Sequence, residues 1–72
     1  MQTYIFETLQ QDHGLTGREA QIAIEVSKGL SNADVASSIS IAEKTVKWHL
    51  TNIFKKMGVK SRYQLIFKCD GK

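Results

Sequence analysis

The 72 residues suffice for one domain, and a chain this short buries roughly 60% of its unfolded surface, which leaves little room for a deep enzymatic pocket. With 42% hydrophobic and 24% charged residues, no proline and five glycines, it reads as a folded domain of helices joined by short turns, and no apolar run approaches the roughly 20 residues of a membrane span. The net charge of +3 hides an asymmetry: residues 1–39 set Arg18 and Lys28 against Glu7, Asp12, Glu19, Glu25 and Asp34, whereas residues 40–72 set Lys44, Lys47, Lys55, Lys56, Lys60, Arg62, Lys68 and Lys72 against Glu43 and Asp70.

The first 14 residues admit two readings. Tyr4, Ile5, Phe6 and Leu9 form a short helical stripe, or, with Gly14 behind it, the stretch is an extension or linker to a domain over 15–69. His13 has no second ligand at metal spacing and reads as a solvated loop residue. Thr16 to Glu19 is a capping box: the threonine oxygen takes the backbone N–H three residues on, and the glutamate reaches back. It opens a helix expected over 17–28, with Leu15 at the staple position before the cap and Gly29 just past the end. Ser31 to Asp34 repeats the cap pattern and opens a second helix over 32–39, whose apolar face is Val35, Ala36 and Ile39. That helix is too short to stand alone, and Ala33, Ala36, Ser37 and Ser38 let a neighbour approach closely.

A tight turn, Ser40-Ile41-Ala42, leads into the stretch that organises the chain, a helix over 43–57. Val46, Leu50, Ile53 and Met57 recur at i, i+4, i+7, i+11 and form one stripe. Opposite it lie Lys44, Trp48, Thr51 and Lys55, with Lys47 beside them. Cations, an aromatic and a small hydrogen-bonding group on the outer face suit a major groove. Taken alone, the stretch serves equally as an amphipathic helix with one exposed tryptophan. Gly58 terminates it, Val59 makes the hydrophobic contact that follows, and Ser61 to Gln64 is a third capping box, opening a helix over 62–69. That last helix turns Leu65, Ile66 and Cys69 inward and carries Tyr63 and Phe67, four apart, on another side; residues 70–72 should fray. Two helices, the first very short, joined by a tight turn and followed by a basic outer face, make a helix-turn-helix in an all-α, four-helix bundle-like domain.

The basic second half points to a polyanion: nucleic acid ahead of an anionic membrane, with a solvated charged face as the plain alternative. Cys69, the single cysteine, rules out an internal disulfide and a cysteine-cluster zinc site and reads as a small apolar helix residue. No charged-then-apolar leader reads as a signal peptide, and a reducing, intracellular setting fits. No phosphate loop, apolar carboxylate pair or Ser/His/Asp set is visible, so neither an enzyme nor a cofactor is expected. His49, at the edge of the apolar stripe with no metal partner, reads as a packed, hydrogen-bonded residue.

Four pieces in order, LTGRE at 15–19, GLSNADVA at 29–36, EKTVKWHLTNIFKKMGV at 43–59 and KSR at 60–62, resemble the DNA-binding domain of LuxR-type regulators, the family of GerE and of the output domains of NarL-like response regulators. The resemblance runs from Leu15 to about Phe67. It implies a bacterial, cytoplasmic, nucleoid-associated transcription regulator that binds double-stranded DNA as a homodimer, with the helix over 43–57 in the major groove. It also implies base contacts from Lys47, Trp48 and Thr51, phosphate contacts from Ser31, Asn32, Lys44, Thr45, Lys60 and Arg62, and a dimer face at Tyr63 and Phe67. Lys55, on the same basic face of the long helix, joins the phosphate set.

Three positions depart from the family pattern. Ala42 stands where a serine or threonine cap is usual, and losing a cap oxygen costs about 0.5–2 kcal/mol. Glu25 replaces an apolar residue, which suggests half-exposure or pairing with a lysine or His49. Trp48 is bulkier than usual, so no base preference carries over. Two other readings stand beside DNA binding: a protein-interaction module that docks its basic face on an acidic partner such as RNA polymerase, and a domain that only dimerises. Trp48 separates the first, since a protein hot spot needs an apolar rim and its neighbours are lysines and a threonine. No receiver or ligand domain lies in these residues, so a free-standing regulator and a fragment both fit.

Overall fold

The computed structural model describes residues 2–69, and side chains from Phe6 to Lys68. Five helices follow in order: α1 (Gln2–His13), α2 (Gly17–Ser27), α3 (Asn32–Ile39), α4 (Glu43–Met57) and α5 (Arg62–Cys69), and no strand forms among the described residues. The four expected helices lie where the capping signals and, for α4, the apolar stripe put them, and α1 is added to them. His13 is the last residue of α1, half-buried, not a loop residue. The readings of Tyr4, Ile5 and Cys69 as side chains, and of the tail 70–72, lie outside the described residues.

Each boundary has a local cause. Thr16 Oγ1 accepts from the Glu19 N–H at 3.1 Å while Glu19 Oε1 accepts from the Thr16 N–H at 3.0 Å, a complete capping box. Ser31 Oγ accepts from the Asp34 N–H at 3.1 Å at the head of α3. The box expected at Ser61 is half made: Ser61 Oγ accepts from the Gln64 N–H, but Gln64 Oε1 reaches past Ser61 to the Lys60 N–H at 2.7 Å. Ala42 offers no side-chain cap, and its carbonyl alone takes the first bonds of α4, from Thr45 and Val46. Ser40 closes α3 with φ of 59°, the left-handed region that L residues enter at a cost. There the Ile41 N–H reaches back to the Ala36 carbonyl and turns the chain into α4.

α2 is the centre of the packing and touches all four other helices. Ile22, Ala23, Val26, Val35, Val46, Ile53 and Leu65 are fully enclosed. The stripe read along α4, Val46, Leu50, Ile53 and Met57, is the buried one. Of the small residues on α3 only Ala36 is buried; Ala33, Ser37 and Ser38 face solvent, so close approach of α4 rests on one alanine rather than four small residues. α1 packs on α2: Leu9 is 3% exposed, and Phe6 and Gln10 lie over Gly17, where a Cβ would meet Phe6 at 3.9 Å.

Two lysines of the basic half serve this fold. Lys56 Nζ lies 2.7 Å from Glu19 Oε1 and joins α4 to the head of α2, and Lys68 Nζ donates to the Met57 carbonyl at 2.8 Å, satisfying the end of α4. Burial alone would raise the Glu19 pKa, but the Lys56 hydrogen bond, the Thr16 backbone bond and the attraction of the ammonium together hold it below its ordinary 4.5. A carboxylate with a lowered folded pKa contributes stability above its unfolded pKa and loses it as pH falls through the folded value. Glu19→Ala should therefore cost about 1–2 kcal/mol at pH 7, the part-exposed Lys56 keeping the pair modest. The gap to the parent should shrink as pH falls below 4.5. Urea unfolding of both proteins at pH 7 and pH 3 measures it, and a pH-independent gap would refute the ion-pair contribution.

Candidate nucleic-acid interface

The outer face of α4 is built by the same periodicity that builds its inner one. With Val46, Leu50, Ile53 and Met57 seated in the core, Lys44, Lys47, Trp48, Thr51 and Lys55 must point away, and all five are exposed. Trp48 keeps 64% of its surface in solvent, a large apolar area with cations on either side. The Thr51 hydroxyl donates to the Lys47 carbonyl one turn back at 3.1 Å, which leaves its oxygen able to accept a further hydrogen bond. Thr45 is also exposed, in the uncapped first turn.

Ser31, at the head of α3, is exposed, and Lys60, before α5, is exposed with its backbone N–H held by Gln64. Arg62 and Asn32 are brought together. The Arg62 Nη1 donates to Asn32 Oδ1 at 2.8 Å and its Nη2 to the Leu30 carbonyl at 2.6 Å, tying the start of α5 to the start of α3. Sequence spacing carried no sign of this tie, whose ends are 30 and 32 residues apart. With Lys56 and Lys68 also bonded to other parts of the domain, the uncommitted cations of the face are Lys44, Lys47, Lys55 and Lys60.

Glu25, on α2, is partly buried and pairs with Lys28 at 3.6 Å, not with His49. His49 is half-buried, in keeping with a packed histidine, and its buried Nδ1 has no hydrogen-bond partner. Its ring meets that of Trp48. Tyr63 and Phe67 stand out on α5, 82% and 64% exposed, while Leu65 between them is fully buried. No helix among the described residues is long and apolar enough to cross a membrane.

The family described as bacterial regulatory proteins of the luxR family, GerE, matches residues 13–69. The chain belongs to this family. It is a DNA-binding helix-turn-helix domain of transcription regulation, not an enzyme. It is similar to the probable csgAB operon transcriptional regulatory protein of Salmonella typhimurium, 48% identical over 52 residues that cover 72% of this chain and 24% of that protein. It is also similar to the nitrate/nitrite response regulator protein NarP of Escherichia coli, 46% identical over 48 residues, covering 67% of this chain and 22% of that one. To the response regulator protein VraR of Staphylococcus aureus it is 44% identical over 52 residues, 72% of this chain and 25% of that one. The match thus spans about a quarter of the length of these LuxR-family relatives. No solved structure matches the chain.

Proposed function

We propose that this LuxR-family domain binds double-stranded DNA sequence-specifically as a homodimer, with α4 in the major groove, as the DNA-reading part of a cytoplasmic, nucleoid-associated regulator. The observation that carries the reading is the outer face of α4: five side chains chosen for hydrogen bonding, charge and ring contact, all exposed, on a helix whose other face is held in the core. Lys47, Trp48 and Thr51, in the middle of that face, read base edges. Lys44, Thr45, Lys55, Lys60 and Ser31 meet phosphates. Asn32 and Arg62 keep donors beyond their mutual bond, since the asparagine amide and the remaining guanidinium N–H groups can still meet a phosphate. The cations round Trp48 disfavour the protein-docking alternative, which needs an apolar rim.

The test is the salt dependence of binding to random duplex DNA. Each neutralised phosphate adds about 0.9 to the log–log slope, so three to five contacts per protomer give a slope of roughly −3 to −5. A flat dependence would favour an acidic protein partner instead. The dimer has its own measurement. Tyr63 and Phe67 offer a compact apolar patch on α5, and a double Tyr63→Ala, Phe67→Ala variant should lose affinity for paired half-sites while keeping its affinity for one half-site. Equal binding of parent and variant to the paired site rejects this face as the dimer contact.

A further inference from the structure

We propose that His49 is a positioning residue for Trp48: it holds the indole in the orientation the groove meets, and so sets base preference from a place that does not touch DNA. The inference rests on the reading above that Trp48 reads bases. Its own ground is a ring contact. The Trp48 and His49 rings are 5.1 Å apart at an interplanar angle of 67°, an edge-to-face pair. Successive residues on a helix diverge by about 100°, so neighbours in sequence do not meet unless both side chains turn towards each other. Here one partner is anchored and the other is not. His49 is half-buried at the edge of the core stripe, whereas Trp48 stands 64% in solvent.

The chemistry of His49 supports the same role. Its Nδ1 is buried and has no hydrogen-bond partner, so that nitrogen contributes no bond to the fold, and what the ring supplies at this place is an aromatic contact. An exposed tryptophan free to change rotamer pays ordering entropy when it binds, and a backstop removes part of that cost in advance. An edge-to-face pair of this type changes a rotamer population by roughly 2- to 10-fold. That is the loss of discrimination expected when it is removed.

The experiment uses the intact chain, whose single tryptophan is its own reporter. The time-resolved fluorescence anisotropy of Trp48 is compared, without DNA, in the parent, His49→Ala and His49→Phe. Each is then titrated, together with Trp48→Ala, against a duplex selected from a randomised pool and against its scrambled counterpart. His49→Ala should free the indole and reduce the affinity ratio of selected to scrambled duplex by about 2- to 10-fold, leaving scrambled binding unchanged. His49→Phe, which keeps an aromatic ring and removes the unpartnered nitrogen, should restore both. It also keeps the test open should His49→Ala unfold. The positioning role is overturned if His49→Ala leaves the anisotropy as it was, or if His49→Phe folds and fails to restore it. It is equally overturned if Trp48→Ala lowers the ratio and His49→Ala does not. If Trp48→Ala itself leaves the ratio unchanged, the base-reading role of Trp48 fails, and the link from His49 to specificity is overturned with it.

Discussion

Leu9→Ala should lower the stability of the domain by roughly 2–4 kcal/mol, the cost of removing a buried leucine's methyl groups and leaving part of their space empty. Leu9 is 3% exposed and belongs to the same buried cluster as Leu15, Ile22 and Leu65. The Leu15 N–H reaches the Leu9 carbonyl and the Gly14 N–H reaches that of Gln10, so the chain folds back from α1 onto α2 through a glycine at φ of 69°. A domain of this size has on the order of 4–10 kcal/mol in all. A loss of a few kcal/mol would lower its Tm by about 10–25 °C. Thermal unfolding followed by circular dichroism measures the shift. If Leu9→Ala changes the Tm by no more than an exposed Gln11→Ala control, α1 is not part of the cooperative unit and residues 1–14 behave as an extension to it.

The second large effect belongs to the outer face of α4, and it separates affinity from specificity. Lys44 is exposed in the first turn, where a lysine most easily meets the groove wall, and Lys44→Ala should weaken binding to all duplexes alike and reduce the salt slope by about one. Lys47→Ala should cost about 1–3 kcal/mol on the preferred duplex and much less on random DNA, because a base-edge bond is lost only where the right base is present. Trp48→Ala should also reduce discrimination, without changing the salt slope, since the indole carries no charge. The assay is titration of each variant against a selected and a scrambled duplex at several salt concentrations. Equal losses on both duplexes for Lys47→Ala and Trp48→Ala would remove this helix as the base reader.

Arg62 shows how tertiary partners change the weight of a residue. In sequence it is one more cation in a basic half, beside Lys60 and ahead of an exposed aromatic pair. In the fold two of its nitrogens hold Asn32 and the Leu30 carbonyl, so its loss would loosen α5 from α3 as well as remove a charge. Lys56 and Lys68, though exposed, are likewise engaged, with Glu19 and with the end of α4. The charge that remains uncommitted for DNA is concentrated on Lys44, Lys47, Lys55 and Lys60, fewer groups than the eight basic residues of 40–72 suggest.

By itself the sequence determined the features set by local rules. Capping residues at Thr16 and Ser31 place the starts of α2 and α3, glycines past the ends of α2 and α4 stop them, and a 3.6-residue stripe on α4 decides which side chains enter the core and which stay out. These signals act over one or two turns, so they can be read from neighbouring letters. The outer face of α4 was legible for the same reason, as the complement of its buried stripe. Tertiary structure alone decided the rest. Residues 2–13 carry too weak a pattern to separate helix from linker, and it is packing of Leu9 and Phe6 on α2 that accompanies their helix. The Gln64 side chain accepts from Lys60 rather than closing the box on Ser61, and the His49 ring meets Trp48 while its Nδ1 has no partner, because each choice depends on where the side chain's competitors lie in space. The bonds of Arg62 and Lys56 span 30 and 37 residues, and a pairing at that distance is written only in the way the helices pack.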